Sequence, residues 1–125
     1  MDRPLITFAM LAYNQEEYIA EAIESAYAQE YRPLQIIISD DASTDATPEI
    51  IQEMQRKYKG SASVCINLNV TNRGLCDHVN QIMELAKGEL IVIAAGDDIS
   101  YPYRTSKIVE AWERENREPL SILST

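Results

Sequence analysis

The segment 34–51, "LQIIISDDASTDATPEII", contains a strand, a loop and the beginning of a helix in direct succession. Residues 34–39 are mostly apolar and rich in isoleucine, which favours a buried β-strand. The polar residues that follow predict a loop, in which Thr47 caps a helix and Pro48 occupies its first position. A strand that leads directly into a helix is the repeating unit of α/β folds.

The same unit recurs along the whole chain. Apolar strand segments are predicted at 5–11, 34–39, 63–68 and 90–95. Each is followed by apolar residues at helical spacing, namely Ile19, Ala22, Ile23, Ala26 and Tyr27; Ile50, Ile51 and Met54; Val79, Ile82, Met83 and Ala86; and Ile108, Ala111 and Trp112. The alternation predicts a three-layer α/β/α domain, in which helices cover both faces of a mostly parallel sheet.

Several residues predict where the helices begin and end. Asn14 suits the N-cap of the first helix, and Gly88 suits the C′ position that ends the third. Residues 100–102, "SYP", are expected to open the fourth helix. The final residues, 119–125, have the pattern of a further strand. We therefore expect residues 1–125 to be a single domain, cut from a longer protein before its next part.

Composition limits the possible functions. The chain has 125 residues, of which 46% are apolar, so it can build the core of one domain. It contains no apolar run long enough to span a bilayer, and its N-terminus resembles a strand more than a signal peptide. Two cysteines, Cys65 and Cys76, are too few for a disulfide scaffold and fit a cytoplasmic protein.

The chain carries a net charge of −9, from 20 acidic and 11 basic residues. This balance argues against nucleic acid as a partner, because such binding needs a basic surface. An anionic small ligand would need local arginines or a metal ion to offset the repulsion.

Topology predicts where a ligand binds. In a strand order of 3-2-1-4, the second and third strands lie on one side of the first strand and the fourth lies on the other. Ligands of parallel sheets bind at this switch point, beyond the carboxyl ends of the first and fourth strands. Three loops would meet there: 12–15 ("AYNQ"), 40–43 ("DDAS") and 95–98 ("AGDD"). Two of the three contain paired aspartates, and such crowding raises their pKa values or requires a cation.

No glycine-rich phosphate loop is present. The four glycines, at positions 60, 74, 88 and 96, fit neither the dinucleotide-binding pattern nor the P-loop. A divalent cation, Mn²⁺ or Mg²⁺, held by one or two carboxylates and bridging to phosphate oxygens, is the remaining solution for a nucleotide ligand. In that arrangement the acidic residues hold the metal and the metal holds the anion.

The segments "SDDASTDAT", "NRG" and "GELIVIAAGDDI", in this order and spacing, resemble the family 2 glycosyltransferases. The resemblance extends from about Pro4 to Trp112. It implies the Rossmann-like GT-A fold and a donor-binding domain that precedes an acceptor-binding part. It also implies metal-assisted transfer of a hexose, with inversion, from a nucleoside-diphosphate sugar such as a UDP-sugar to an acceptor hydroxyl. Polysaccharide biosynthesis, at the cytoplasmic face of the membrane in the full-length protein, would be the setting.

The resemblance also implies roles for individual residues. Tyr13 and the backbone around Ala12 would border the nucleotide base. Asp41, or its neighbour Asp40, would accept a hydrogen bond from the base, and Arg73 would approach the diphosphate.

Asp97 and Asp98 match the family's acidic metal motif, which is usually D-x-D. Ala95 stands at the first Asp position, so Asp98 becomes the expected metal ligand, and Asp97 is assigned either to the metal or to the nucleotide sugar. The general base lies beyond this motif in the family, and no candidate for it is visible here. The glutamates of the fourth helical segment read as a solvated face, namely Glu110, Glu113, Glu115 and Glu118.

Other interpretations remain open from the residues alone. The Asp97–Asp98 pair could be a helix-capping turn, and Asp40 could form an Asx-turn. Tyr13 could be simple packing, and His78 is expected to have a core or surface role. A Mg²⁺-binding receiver-type signalling domain, or a nucleotide-binding domain without transferase activity, are the alternative functions.

Overall fold

The computed structural model describes residues 3–117, which form strands and helices in the predicted alternation. The elements are β1 Ile6–Ala12, α1 Ile19–Tyr27, β2 Leu34–Asp40, α2 Thr47–Lys57, β3 Ser63–Leu68, α3 Leu75–Leu85, β4 Leu90–Ala95 and α4 Arg104–Arg114. Each predicted strand agrees with the structure to within one residue at either end. The further strand expected at 119–125, and Glu118, lie outside the described residues. No helix within residues 3–117 is both long enough and apolar enough to cross a membrane.

The four strands form one parallel sheet in the order β3-β2-β1-β4, which confirms the predicted order. The last residues of the central strands are in register, with Ala12 opposite Asp40 and Leu11 opposite Ala95. The loops that follow β1, β2 and β4 therefore leave the same edge of the sheet.

The two faces of the sheet are covered unequally. Even-numbered residues of β1, such as Phe8 and Met10, pack with α1, α2 and α4 in the larger apolar cluster. Odd-numbered positions form a smaller cluster, in which Ala9 and Ile37 pack against Ile82 of α3. β1 and β2 are buried on both faces, as their continuous apolar sequences predict.

The beginnings of the first two helices differ from the prediction. Asn14 does not cap α1; it adopts a left-handed φ of 51°, and its Oδ1 accepts a hydrogen bond from Thr44 N at 2.8 Å. Thr47 does not precede α2 but is its first residue, and its hydroxyl accepts a hydrogen bond from Gln15 N at 2.8 Å. Both side chains join the loop after β1 to the loop after β2, because these loops leave adjacent strands.

The end of α3 also differs from the prediction. The helix ends at Leu85, and Ala86 is extended, so Gly88 does not occupy a C′ position. Glycine is needed at position 88 for another reason: a Cβ atom there would lie 2.5 Å from the backbone nitrogen of Thr7. Met83 was predicted to face inward but is 60% exposed, because α3 contacts the sheet through the face that contains Ile82.

α4 begins at Arg104, later than the predicted opening at 100–102. Its first turn is held by a buried side chain from the segment after α1. Gln29 Oε1 accepts hydrogen bonds from Thr105 N at 3.0 Å and Thr105 Oγ1 at 2.6 Å. Gln29 Nε2 donates to the carbonyl of Tyr101 at 2.8 Å. This clamp fixes where the chain turns into α4 after the Asp97–Asp98 loop.

Candidate functional site

A cleft of about 670 Å³ lies at the edge of the sheet where the parallel strands end. It is lined by Leu11, Ala12, Tyr13, Gln15, Asp41, Asn72, Gly74, Leu75, His78, Ile93, Ala94, Ala95 and Asp98. The cleft lies where it was predicted, beyond the carboxyl ends of β1 and β4, at the switch point of the strand order. The loop after β3 and the first turns of α3 also form its wall, although they were not among the three loops expected to meet.

Asp41 is the most heavily hydrogen-bonded acid of the cleft. Its carboxylate accepts hydrogen bonds from Arg73 N at 2.9 Å, Gly74 N at 3.0 Å and Asn69 Nδ2 at 3.0 Å. Burial acts to raise the pKa of Asp41, but these donors outweigh it and hold the pKa below its ordinary value of 3.8. Asp41 is therefore ionised at neutral pH and anchors the loop after β3.

The backbone of that loop depends on glycine. Gly74 adopts a φ of 81°, a conformation that side chains disfavour, and its N–H group donates to Asp41. Asn72 supports the same turn, because its Nδ2 donates to the carbonyl of Asp41 at 3.1 Å. The "NRG" segment is thus a loop built around one carboxylate.

Asp40 differs from its neighbour. Its side chain is buried, its Oδ2 accepts a hydrogen bond from Ser43 N at 2.9 Å, and its Oδ1 contacts the Ser43 hydroxyl. The side chain of Asp40 therefore closes a local turn with the residue three positions on, whereas an Asx-turn would use the residue two positions on. Asp40 does not line the cleft, so of the two acids only Asp41 is presented to a ligand there.

Asp97 and Asp98 lie on the exposed loop after β4. Asp98 lines the cleft, and its Oδ2 accepts a hydrogen bond from Ala95 N at 3.2 Å. Asp97 makes no side-chain hydrogen bond within residues 3–117 and is not a lining residue.

The same part of the chain contains no cluster of three or more His, Cys, Asp or Glu side chains able to hold a metal. This donor set fits a cation that takes its remaining ligands from a bound anion, because Mg²⁺ and Mn²⁺ sites commonly use one or two carboxylates with substrate phosphates.

Asp98 also borders a second cleft, of about 430 Å³, on the side of α4. Two parallel tyrosine rings, of Tyr101 and Tyr103, stand beside it with centroids 5.4 Å apart. Arg104 lines this cleft and donates to Ser100 Oγ at 3.0 Å. Burial lowers the pKa of Arg104, and the nearby Asp98 carboxylate opposes that shift.

Of the remaining predicted site residues, some line the cleft and others do not. Tyr13 lines the cleft and is 48% exposed as a residue, and Ala12 contributes from the buried end of β1. Arg73 does not line the cleft; its backbone N–H contacts Asp41, while its side chain is exposed. His78 is a cleft residue that sequence reasoning missed, and only its place four residues after Gly74 could have indicated it.

Comparison with known proteins identifies the family. Residues 7–118 match the family described as Glycosyl transferase family 2. The chain belongs to this family. Membership confirms the resemblance and identifies the chain as part of an enzyme family, and it does not support the receiver-type alternative.

Relatives of this family 2 chain include proteins named as glycosyltransferases. It is 36% identical over 111 residues to the putative glycosyltransferase EpsE of Bacillus subtilis, a match that covers 89% of this chain and 39% of the relative. It is 34% identical over 111 residues to the Escherichia coli UDP-Glc:alpha-D-GlcNAc-diphosphoundecaprenol beta-1,3-glucosyltransferase WfaP, with 89% and 42% covered. The family 2 chain thus spans about two fifths of the length of these relatives.

Solved structures agree with the GT-A fold. The mannosyltransferase PcManGT from Pyrobaculum calidifontis, in complex with GDP-Man and Mn²⁺, superposes with a TM-score of 0.81 at 24% identity, over 89% of this chain and 33% of that one. TarS 1-349 of S. aureus, in complex with UDP, superposes with a TM-score of 0.71 at 26% identity, over 88% of this chain and 32% of that one. The family 2 chain therefore has the GT-A fold.

Proposed function

We propose that the chain is the donor-binding part of a glycosyltransferase that uses a nucleoside-diphosphate sugar, with UDP as the nucleotide. The observation that carries this proposal is that one cleft contains both Asp41 and Asp98. A nucleotide sugar has a base that needs a polar partner and a diphosphate that needs positive charge. Asp41 offers the first, and Asp98 offers a carboxylate to a cation that would supply the second. The named activity of WfaP and the UDP complex of TarS support UDP as the nucleotide.

In this proposal the nucleoside occupies the end of the cleft near β1 and β2. Tyr13 is half-exposed, and its ring would offer an apolar surface to the base beside Ala12. Asp41 is ionised and accepts a hydrogen bond from a base N–H group. Arg73 directly precedes the lining residue Gly74, and we assign its exposed side chain to the diphosphate. Asp40 supports the loop after β2 by accepting a hydrogen bond from Ser43 N.

The diphosphate lies toward β4, where Asp98, with Asp97 beside it, would hold a divalent cation, Mn²⁺ or Mg²⁺. When bound, the cation neutralises charge on the departing diphosphate. Ala95 N–H fixes one oxygen of Asp98 and leaves Oδ1 free to coordinate. The Mn²⁺ complex of PcManGT supports a cation in this fold.

The proposed reaction is a single displacement. An acceptor oxygen attacks the anomeric carbon, the bond from that carbon to the diphosphate oxygen breaks, and the stereochemistry inverts. The acceptor proton passes to a carboxylate base. Asp41 is assigned to the nucleotide base and Asp98 to the cation, so we assign the general base to a part of the protein outside residues 3–117.

For the acceptor, we propose a lipid-linked sugar, by analogy with the relative WfaP. WfaP is named for transfer to a sugar carried on diphosphoundecaprenol. A lipid-linked glycan of this kind would place the full-length protein at the cytoplasmic face of the membrane as a peripheral enzyme of polysaccharide synthesis.

Calorimetric titration of UDP, GDP, CDP and ADP, each with Mn²⁺, tests the donor-binding proposal. We expect UDP to bind most tightly and the affinity to fall at least tenfold when EDTA removes the metal. Asp98→Ala should abolish this metal dependence. Asp77→Ala, which removes an exposed carboxylate of α3 outside the cleft lining, should leave it unchanged. Metal-dependent binding that survives Asp98→Ala would contradict the metal assignment, and absence of nucleotide binding would contradict the function.

A further inference from the structure

The single histidine of the chain lies in the wall of the cleft. His78 is only 3% exposed, yet it is a lining residue together with Asp41 and Tyr13. Its Nε2 lies 2.6 Å from the hydroxyl of Ser39, a fully buried residue of β2. Its Nδ1 has no hydrogen-bond partner within residues 3–117 and is not among the polar atoms sealed from solvent there. One ring nitrogen therefore contacts the protein interior, and the other keeps access to solvent on a residue that lines the cleft.

A chain of hydrogen bonds connects Ser39 to Asp41. Asn67 Nδ2 donates to Ser39 Oγ at 3.0 Å and to Asn69 Oδ1 at 3.1 Å. Asn69 Nδ2 then donates to Asp41 Oδ1 at 3.0 Å. Gln81 Nε2 of α3 donates to the same Asn69 Oδ1 at 2.9 Å. The network joins β2, β3 and α3 below the floor of the cleft.

The direction of every hydrogen bond in this chain follows from Asp41. An ionised carboxylate can only accept, so Asn69 must turn its amide nitrogen toward it. The carbonyl oxygen of Asn69 then faces Asn67, which must present its own amide nitrogen there.

The same nitrogen of Asn67 donates to Ser39, so the hydroxyl proton of Ser39 cannot go to Asn67. Within the described part of the chain the other partner of that hydroxyl is His78 Nε2. Nε2 therefore accepts, and a neutral imidazole that accepts at Nε2 carries its proton on Nδ1.

We propose that His78 is held as the Nδ1–H tautomer and donates this proton to an acceptor oxygen of the bound nucleotide, so that it positions the base beside Asp41. This inference rests on the proposed function for the identity of the ligand. Asp41 offers an acceptor and His78 offers a donor in one cleft, a pairing that suits a uracil edge, which carries an N–H group between two carbonyl oxygens.

The electrostatic surroundings support a neutral ring. Burial lowers the pKa of His78 below its ordinary value of 6.5 and outweighs the attraction of Asp41 and Asp40. A neutral imidazole can receive the Ser39 proton, whereas an imidazolium would leave that buried hydroxyl without an acceptor. The network and the burial thus favour the same protonation state.

The tautomer can be measured directly, without a variant. With one histidine in the chain, a long-range ¹H–¹⁵N correlation spectrum of labelled protein reports a single imidazole. We expect the pattern of the Nδ1–H tautomer at neutral pH, and we expect UDP with Mn²⁺ to shift its Nδ1 resonance. An Nε2–H pattern, or an Nδ1 resonance that does not move when UDP saturates the protein, overturns the inference.

Binding of UDP with Mn²⁺ to variants tests the contact itself. His78→Ala should weaken binding about tenfold, as expected for loss of one hydrogen bond to a ligand. His78→Asn, which keeps a donor near the Nδ1 position, should recover most of that loss. Asn80→Ala, an exposed position of α3 outside the cleft lining, is the matched control and should bind as the wild type does.

The outcomes separate the inference from the proposed function. If His78→Ala binds UDP as tightly as the wild type does, the role of His78 is overturned and the donor cleft remains intact. Failure of the wild type to bind any nucleoside diphosphate overturns the proposed function and, with it, the nucleotide contact of His78.

Discussion

At the scale of single residues, Asp41 combines two tasks that a sequence cannot separate. Its carboxylate holds the loop after β3 through Arg73 N and Gly74 N, and it faces the cleft. Each carboxylate oxygen can accept two hydrogen bonds, so the three protein donors do not exhaust it. A ligand N–H group can therefore use the position that remains.

Asp41→Asn should destabilise the chain, because the new amide group confronts backbone N–H donors that the carboxylate now accepts. We expect the free energy of unfolding at neutral pH to fall by about 1–3 kcal/mol, measured by urea denaturation. Asp77→Asn, at an exposed position of α3, is the control and should change it little.

The same variant predicts a pH dependence. The folded pKa of Asp41 lies below its ordinary value of 3.8, so its stabilising contribution is complete above that value and is lost as the pH falls toward the folded pKa. The difference in unfolding free energy between wild type and Asp41→Asn should therefore shrink below pH 3.8. A difference that grows with acidification would contradict this assignment.

At the scale of elements, two buried glutamines hold segments together, and one of them bonds the first turn of a helix that has no side-chain N-cap. The four helices of the described chain have no side-chain N-cap hydrogen bond. Gln29 instead satisfies the first turn of α4. Gln35 accepts from Thr7 Oγ1 at 2.7 Å and from Lys87 N at 2.8 Å, so it joins β1 to the turn before β4.

Gln29→Met should test this role, because methionine fills a similar volume but cannot hydrogen-bond to Thr105 or Tyr101. We expect a loss of roughly 2–4 kcal/mol in unfolding free energy, since buried backbone groups are left unsatisfied. Gln52→Met, at an exposed position of α2, is the matched control. Equal thermal denaturation midpoints for the two variants would show that the clamp contributes little.

At the scale of the whole molecule, the apolar clusters on the two faces of the sheet differ in size. α1, α2 and α4 share one large apolar cluster, whereas α3 packs on the smaller cluster around Ile82. Exposed apolar side chains, Leu75 and Met83, lie on α3. Elements with few buried apolar contacts open at lower free energy than the global unfolding free energy.

Native-state hydrogen exchange should therefore find that α3 opens more readily than α1. UDP with Mn²⁺ should protect α3 selectively, because Leu75 and His78 line the cleft. At a free concentration one hundred times the Kd, we expect protection to rise by about 2.7 kcal/mol. Exchange of α3 amides as slow as those of β1 without ligand would contradict the prediction.

Much of the fold and part of the site could be predicted from residues alone. Apolar runs of strand length alternate with helical periodicity, and right-handed helical crossovers between parallel strands leave few possible arrangements, which is why the strand order was correct. That order brought Asp41 and Asp98 to one edge, because parallel strands end together. These features depend on local pattern and general topology.

Tertiary structure decided the rest. Asn14 and Thr47 satisfy a neighbouring loop in place of their own helices, and Gly88 is required by the approach of β1. His78 lines the cleft because α3 packs on the face of the sheet that carries the smaller apolar cluster. Sequence patterns record the period of each element, whereas these contacts join residues far apart in the chain, whose partners exist only once the sheet has formed.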